Sequence, residues 1–517
     1  MKGLIFEALS PQMAAASNRT DVACFIGFAA MREIDPPASV RRWLQHEGWW
    51  STVTTRGIQT GAESLYDVPI PLHNWEEFDQ LFAWDQREYG DAETLGATYL
   101  GATVRSFFAQ GGRKCFVISL ADPVAVAADR ATRDDLLLQL VPHYKGQRSR
   151  RSEWHGLHHL FGLPEVSFVA MPDLAELASS YREDRATPVE VRLPEPQFVA
   201  CSQPSVPAVE RHVIHLAAPR CSDSEYEVWC TVLRRTAQWI STFRRDVQLL
   251  AALPLPHKES SAARDLLAFM HLQGWLNGNL QIGNSLATAF LQLGYPWPQQ
   301  RYAGDLPATL EPPEGVMAGL LARNALTRGT FRSATTVNIQ DVIDIAPHLS
   351  HAQQFAHNPA APLRASPEAP LIDRVSLLAQ TAEGYRLISD VTTSNDSTYR
   401  QGNINRTIAL VMRAARTIGE EYVFETSGER LWQQIETRLG DVLGAMQAAG
   451  ALAGRRPADA FQVRCDRSTM SQQDIDSGRI MVLVIIRPAA SIETLRIQLA
   501  IGDGGRVSLS ALGMEAA

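Results

Sequence analysis

Apolar residues recur at every third or fourth position from Ile404 to Ile418, through Ile408, Val411, Met412 and Ala415. That 3.6-residue spacing predicts an amphipathic helix. Leu431, Trp432, Ile435, Leu439, Val442, Leu443 and Met446 repeat the signal, and Gly450 supplies a helix stop. The period then changes to two. Phe461, Val463 and Cys465 share one face of a strand, and Leu495, Ile497, Leu499 and Ile501 share one face of another. Between them, Ile480–Ile486 is apolar on both faces, which predicts a central strand. The C-terminal part is therefore expected to be two helices on a small sheet.

Upstream, the pattern alternates helices with short buried strands, which argues for an α/β layer. Strands are expected at Asp21–Ala29, Lys114–Leu120, Val166–Ala170 and Asp246–Leu253, and helices at Leu72–Trp84, Leu95–Gln110, Asp223–Arg245 and Ala262–Gly274. Six prolines between Thr187 and Pro219 forbid a long helix or a central strand there, so 187–219 reads as an irregular excursion. Four prolines in His357–Pro370 mark a linker, with strands at Leu371–Leu378 and Tyr385–Val391 leading into the C-terminal domain. Both chain ends read as short strands on loose tethers. Gly3–Leu9 precedes an alanine-rich stretch, and Arg506–Leu512 follows Gly502–Asp503–Gly504–Gly505. A strand without a local partner is unstable alone and needs a sheet edge elsewhere. The domains expected are an N-terminal arm (1–20), an outer α/β domain (21–356), a linker (357–370), a C-terminal domain (371–502) and a C-terminal arm (503–517).

Composition narrows the function little. A chain of 517 residues has ample core. Its 45% hydrophobic and 20% charged content is ordinary for a globular protein. A net charge of −8 argues against a general nucleic-acid binder, and Arg148, Arg150 and Arg151 read as a solvated turn. The six scattered cysteines form no Cys-x-x-Cys pair and read as buried thiols, which suits a reducing cytoplasm. Glu7 and Pro11 interrupt the N-terminal apolar run, so no secretory leader is read there. Ile480–Ile486 is too short to span a bilayer.

Candidate chemistry is sparse. Gly111–Gly112–Arg113–Lys114 follows a helix instead of opening one, so the dipole there presents its negative end and disfavours phosphate. His155, His158 and His159 could offer an i, i+3 metal pair, but no third ligand lies near in sequence, and they read as packed or exposed at a helix end. No phosphate-loop signature, zinc spacing or Gly-x-Ser-x-Gly elbow occurs. The residues alone predict neither an enzyme nor a cofactor or metal.

Several ordered motifs do carry a resemblance. In the C-terminal part they are Phe424–Glu425, Leu431–Trp432, Gly450–Gly454, Ala460–Asp466 and Asp474–Gly478. Upstream they are Tyr99–Ala102 through Phe107–Phe108 to Gly111–Cys115, then Ser285–Trp297 ending in Tyr-Pro-Trp, and Pro312–Arg323 with Arg328–Phe331. In this order and spacing they resemble contractile tail sheath proteins of phages, pyocins and extracellular contractile injection systems. Where that family often carries paired arginines and a Trp near the first C-terminal helix, this chain has Asn405–Arg406 and Tyr399. Gly315 and Gly319 are expected to let a helix approach a sheet closely, and Arg323 or Arg328 to pair with a carboxylate.

The resemblance implies a non-enzymatic structural subunit without cofactor. Its partners would be other copies in helically stacked hexameric rings, an inner tube protein, and baseplate and cap proteins, with no nucleic acid and no membrane insertion. Assembly would take place in the cytoplasm, as part of a phage tail-like particle. It implies that Leu4, Ile5, Phe6 and Ala8 at one end, and Val507 and Leu509 at the other, lie on strands donated to neighbouring copies. The acceptor sheet would carry Val482, Val484, Ile486, Leu495 and Ile497, and Glu429, Glu436 and Asp441 would face the tube. Two other readings remain: an α/β enzyme with a pocket in residues 150–330, and a non-contractile baseplate or cap relative.

Overall fold

The computed structural model describes residues 19–49, 65–89, 95–143, 150–180, 217–301, 305–355, 370–422, 425, 427–489, 494–501 and 507–515, with backbone alone for 336, 494–496 and 507–515. Leu4, Ile5, Phe6 and Ala8, Cys201, Arg148, and most of 187–219 and of the linker lie outside these residues.

Short, uniformly apolar segments build the larger body. β1 (Ala23–Gly27), β2 (Ile70–Leu72), β3 (Cys115–Ser119), β4 (Phe168–Ala170), β5 (Gln248–Ala252) and β6 (Leu291–Tyr295) are buried at every position. β7 (Ser376–Thr381) and β8 (Gly384–Leu387) follow. They form one sheet in the order β8-β7-β6-β5-β4-β1-β3-β2. All neighbours from β3 to β7 run parallel, while β2 and β8 are antiparallel edges. A parallel sheet covered on both faces accounts for the unbroken apolar runs.

Helices α1 (Trp75–Leu81), α2 (Tyr99–Ala109), α3 (Asp223–Phe243) and α4 (Glu314–Thr327) pack around it. The first three have a side-chain cap where they begin. Asn74 caps α1 by accepting from the Glu77 amide, Thr98 caps α2 by accepting from the Gly101 amide, and Ser222 with Glu225 forms a capping box on α3. Gly315 and Gly319 do serve close approach, but to a helix and not to a sheet. A Cβ at Gly315 would lie 2.3 Å from the Thr103 carbonyl oxygen of α2, and one at Gly319 would lie 2.6 Å from that of Phe107. Arg323 hydrogen-bonds the Asn338 carbonyl. The stretch expected as one helix at 262–274 is two, Ser261–Arg264 and Leu266–Leu272, broken at Asp265, whose side chain caps the second.

The smaller body stacks α5 (Gly402–Glu421) and α6 (Glu429–Ala448) on a four-stranded antiparallel sheet. Its strands are β9 (Phe461–Arg464), β10 (Ile480–Ile486), β11 (Thr494–Ile501) and β12 (Val507–Glu515), in that order. The buried cluster joining them contains the predicted periodic set Ile404, Ile408, Val411, Met412, Ala415, Ile418, Leu431, Trp432, Ile435, Leu439, Leu443 and Met446.

The domain change falls later than expected. Leu371, Val375, Leu377, Leu378 and Leu387 belong to the larger core, and the smaller core begins at Tyr399. β7 and β8 read as an entry to the C-terminal domain because they follow the proline-rich linker. They instead close the edge of the large sheet.

Candidate functional site

In an open parallel sheet, ligands bind outside the carboxyl ends of the strands where the winding reverses. Here that point is β1, with β3 on one side and β4 on the other. The crevice is taken up by the chain's own groups. Asp173, just after β4, accepts the Phe28 amide at 2.8 Å. Only glycine fits beneath it, since a Cβ at Gly27 would sit 2.1 Å from Asp173 Oδ2. Ser119 accepts the Ala29 amide at 3.0 Å and donates to the Ala29 carbonyl at 2.7 Å. Beside them Glu176 and Arg87 form a two-point pair with both side chains buried. Burial, reinforced by Glu176, pushes the Asp173 carboxyl up to about 7.

A cleft of about 430 Å³ lies partly within the region proposed for an enzyme pocket and partly beyond it, where Pro347, His348, Leu349, Ala352, Gln353 and Leu371 line it. Its lining includes Arg220, Lys258, Arg264, Tyr295 and His348 but no Ser, Thr or Cys. The histidine cluster is a hydrogen-bonded structural group. His155 Nδ1 and His159 Nε2 stand 2.6 Å and 2.8 Å from the two oxygens of Asp67, distant in sequence, and His158 packs on Trp239. Burial opposes ionisation of Asp67, but those two contacts hold its carboxyl well below the usual range. Among the described residues, no group of three or more His, Cys, Asp or Glu is placed to hold a metal ion. Lys114 of the glycine turn pairs with Glu165 at 2.7 Å. Cys24, Cys115, Cys221, Cys230 and Cys465 are buried thiols. No helix among the described residues is long and apolar enough to cross a membrane.

The small sheet is the other candidate. Val482, Val484, Ile486 and Ile497 are fully buried and point into the core under α5 and α6, so the sheet's edges, not these side chains, are free to accept a strand. Leu495 lies opposite Ile486 in the β10–β11 register. Val507 and Leu509, expected on a strand given to another copy, lie on β12, which pairs within the chain along β11 opposite Ile501 and Leu499. In a single chain the C-terminal strand thus completes its own sheet. The β11 edge is the nearest place where its amides and carbonyls find partners.

On α6, Glu429 and Asp441 are exposed, and Glu429 lies 3.6 Å from Arg467. Glu436, expected outward, is half-buried and accepts the Cys465 amide at 3.2 Å. It ties α6 to the end of β9.

A third feature was not anticipated. α5 is buried on both faces, and its polar face joins the two bodies. Arg406 grips Asp390. Asn405 donates to Gln248 Oε1 and to the Ala289 carbonyl, and Asn403 to the Phe331 carbonyl. Arg416 makes a two-point pair with Asp246 at 3.1–3.2 Å. Arg413 is inserted among loops of the larger body. Its guanidinium donates to the carbonyls of Arg19 (2.7 Å), Glu165 (3.3 Å), Val166 (2.5 Å) and Asp246 (2.9 Å), and to Ser167 Oγ (2.7 Å). Burial resists a charge on Asp246, but Arg244, Arg416 and Arg413 keep its carboxyl far below the ordinary range. The available signal was compositional: from Asn403 to Arg416 the helix carries three arginines but no lysine or acid, unlike a solvated helix face.

No protein-family model and no curated protein matches the chain. Solved structures do. A chain of the anti-feeding prophage (AFP) baseplate in its contracted state is 16% identical, with 93% of each chain covered and a TM-score of 0.55. A chain of the six-fold symmetrised AFP baseplate is 16% identical over 94% of each, with a TM-score of 0.53. One of the AFP helical sheath in the contracted state is 16% identical over 94% of this chain and 95% of that one, with a TM-score of 0.50. The fold read from the ordered sequence motifs, that of contractile sheath proteins, is the fold shared with these chains.

Proposed function

We propose that this chain is a structural subunit of a contractile sheath that polymerises helically around an inner tube and drives the tube through a target envelope. The observation that carries this reading is the fold likeness over more than nine-tenths of the chain, combined with a small sheet whose last strand is the chain's own C-terminal segment. The occupied switch-point crevice supports a structural role over a catalytic one.

The linkage between subunits is strand exchange. β12 is joined to β11 by the five residues 502–506, and an edge that accepts its own terminal strand can accept the identical strand of a neighbour. Leu4, Ile5, Phe6 and Ala8 form the second donated strand. A donated strand of five or six residues makes about four to six backbone hydrogen bonds, and with its apolar side chains contributes about 5–10 kcal/mol. Energy for contraction is stored in the extended lattice during assembly, with no nucleotide. Glu429 and Asp441 on α6 face the tube. Subunits assemble in the cytoplasm into a phage tail-like particle with tube, baseplate and cap proteins.

Deletion of residues 1–9 or 506–517 tests the linkage. Electron microscopy should show short or fragmented sheaths for each, and normal sheaths for both would refute strand exchange. A second reading, a non-contractile baseplate or cap relative, is favoured by the likeness to AFP baseplate chains. Negative-stain images of the purified chain with its tube separate the two: long helical assemblies support a sheath, and closed rings support a baseplate part.

A further inference from the structure

Arg413 sits where three stretches of chain meet. One is the exit of the N-terminal segment at Arg19, one is the turn at Glu165–Ser167 that leads into β4, and one is Asp246 ahead of β5. Arg413 itself belongs to the helix that carries the smaller body. Arg19 is braced in turn by a two-point pair with Asp21, at 2.9 Å and 2.6 Å, immediately before β1. The guanidinium is fully buried, and although burial lowers its pKa to about 10, it stays charged at neutral pH. A planar fork reaching five acceptors on separate segments cannot be reproduced by lysine, whose three donors radiate from one atom.

We infer that Arg413 is the positioning residue through which a pull on the N-terminal segment is delivered to both bodies of the subunit together. Tension on residues before Arg19 meets the Arg19 carbonyl first. Among the described residues that carbonyl has no other hydrogen-bond donor, so without Arg413 the load would pass along the chain into β1 and the large sheet alone. With it, the load is shared by β1, the ends of β4 and β5, and α5. This inference rests on the strand-exchange reading, in which the N-terminal segment is a tether between copies.

The test uses the full chain co-assembled with its tube. R413M and R413K are compared with R406M, which weakens the same helix-to-body contact away from Arg19. Melting temperature, continuity of extended sheaths and continuity of contracted sheaths are measured for each. The expected result is that R413M assembles extended sheaths that break on contraction, with at least a several-fold rise in gaps per particle. R413K should restore only part of the loss, and R406M, at a similar drop in melting temperature, should contract intact. Contracted R413M sheaths as continuous as wild type, or equal breakage in R406M, would overturn the inference. If R413M does not fold, R413K against R406M makes the same comparison. Normal sheaths after deletion of 1–9 would instead remove the tether reading itself, whatever R413M does.

Discussion

Arg406 and Asp390 face each other through two parallel hydrogen bonds, Nη1 to Oδ1 at 2.9 Å and Nη2 to Oδ2 at 2.6 Å, with the side chains 5% and 1% exposed. Asp390 also accepts from Gln292 at 3.0 Å and from the Ala334 amide at 3.0 Å, so no oxygen of the carboxylate lacks a donor. The pair joins the first turns of α5 to the segment after β8. With Arg416 and Asp246, it links the two bodies by charge among the described residues.

R406M should therefore destabilise the subunit by about 3–5 kcal/mol, because it leaves Asp390 buried without its cation. R406M combined with D390N should recover much of that loss. Urea unfolding of the single and double variants measures the coupling. Additive losses would mean that the two side chains act independently.

Glycines on two helices make opposite predictions. G315A should cost about 1–3 kcal/mol, since its Cβ would meet the Thr103 backbone at 2.3 Å, and backbone cannot step aside as a flexible side chain can. G440A on α6 meets nothing within 4 Å and should stabilise the helix by about 0.5–1 kcal/mol. Gly440 neighbours Asp441, so the same variant probes assembly. A G440A chain that melts higher yet binds tube less well would place the contact on this stretch of α6.

The C-terminal body was legible because each element buries one face, and the spacing of Ile404–Ile418 and Leu431–Met446 states which. The large sheet was legible in part: β1, β3, β4 and β5 are apolar on both sides, as only central parallel strands are. Sequence reasoning failed where partners are far apart. The domain change was set at the prolines of 357–370, yet Leu377 and Leu387 pack beyond it, because a linker's composition does not say which sheet the next strand joins. Asp67 as partner of His155 and His159 lies 88 and 92 residues away. The polar face of α5 was given no role, because pattern alone does not distinguish water from a carbonyl-lined pocket. Gly315 and Gly319 signalled close approach, but to a sheet, where the structure has α2.

Two carboxyls beside that same helix contact make the stability of the larger body depend on pH. Glu311 and Glu314 are 2% exposed, and burial pushes each up to about 8. Glu311 accepts from Ser106 at 2.6 Å, and Glu314 from the Ala252 amide at the end of β5 at 2.7 Å. Arg105 only partly offsets the first, while Asp173 and Glu311 itself raise the second. In the unfolded chain both groups ionise near ~4.3. Between that value and about 8 the folded state holds more protons, so stability falls as pH rises across the window, by about 1.4 kcal/mol per unit for each group. Their contribution is fully present only below the unfolded value and is gone once the pH has passed the folded one. E314Q keeps an acceptor for the Ala252 amide and removes the proton equilibrium. Its melting temperature should match wild type near pH 5 and exceed it at pH 8, with a shallower slope between. E311Q should behave alike, and the double variant should flatten the profile further. Parallel wild-type and E314Q profiles from pH 5 to 8 would show that Glu314 titrates normally in the folded chain.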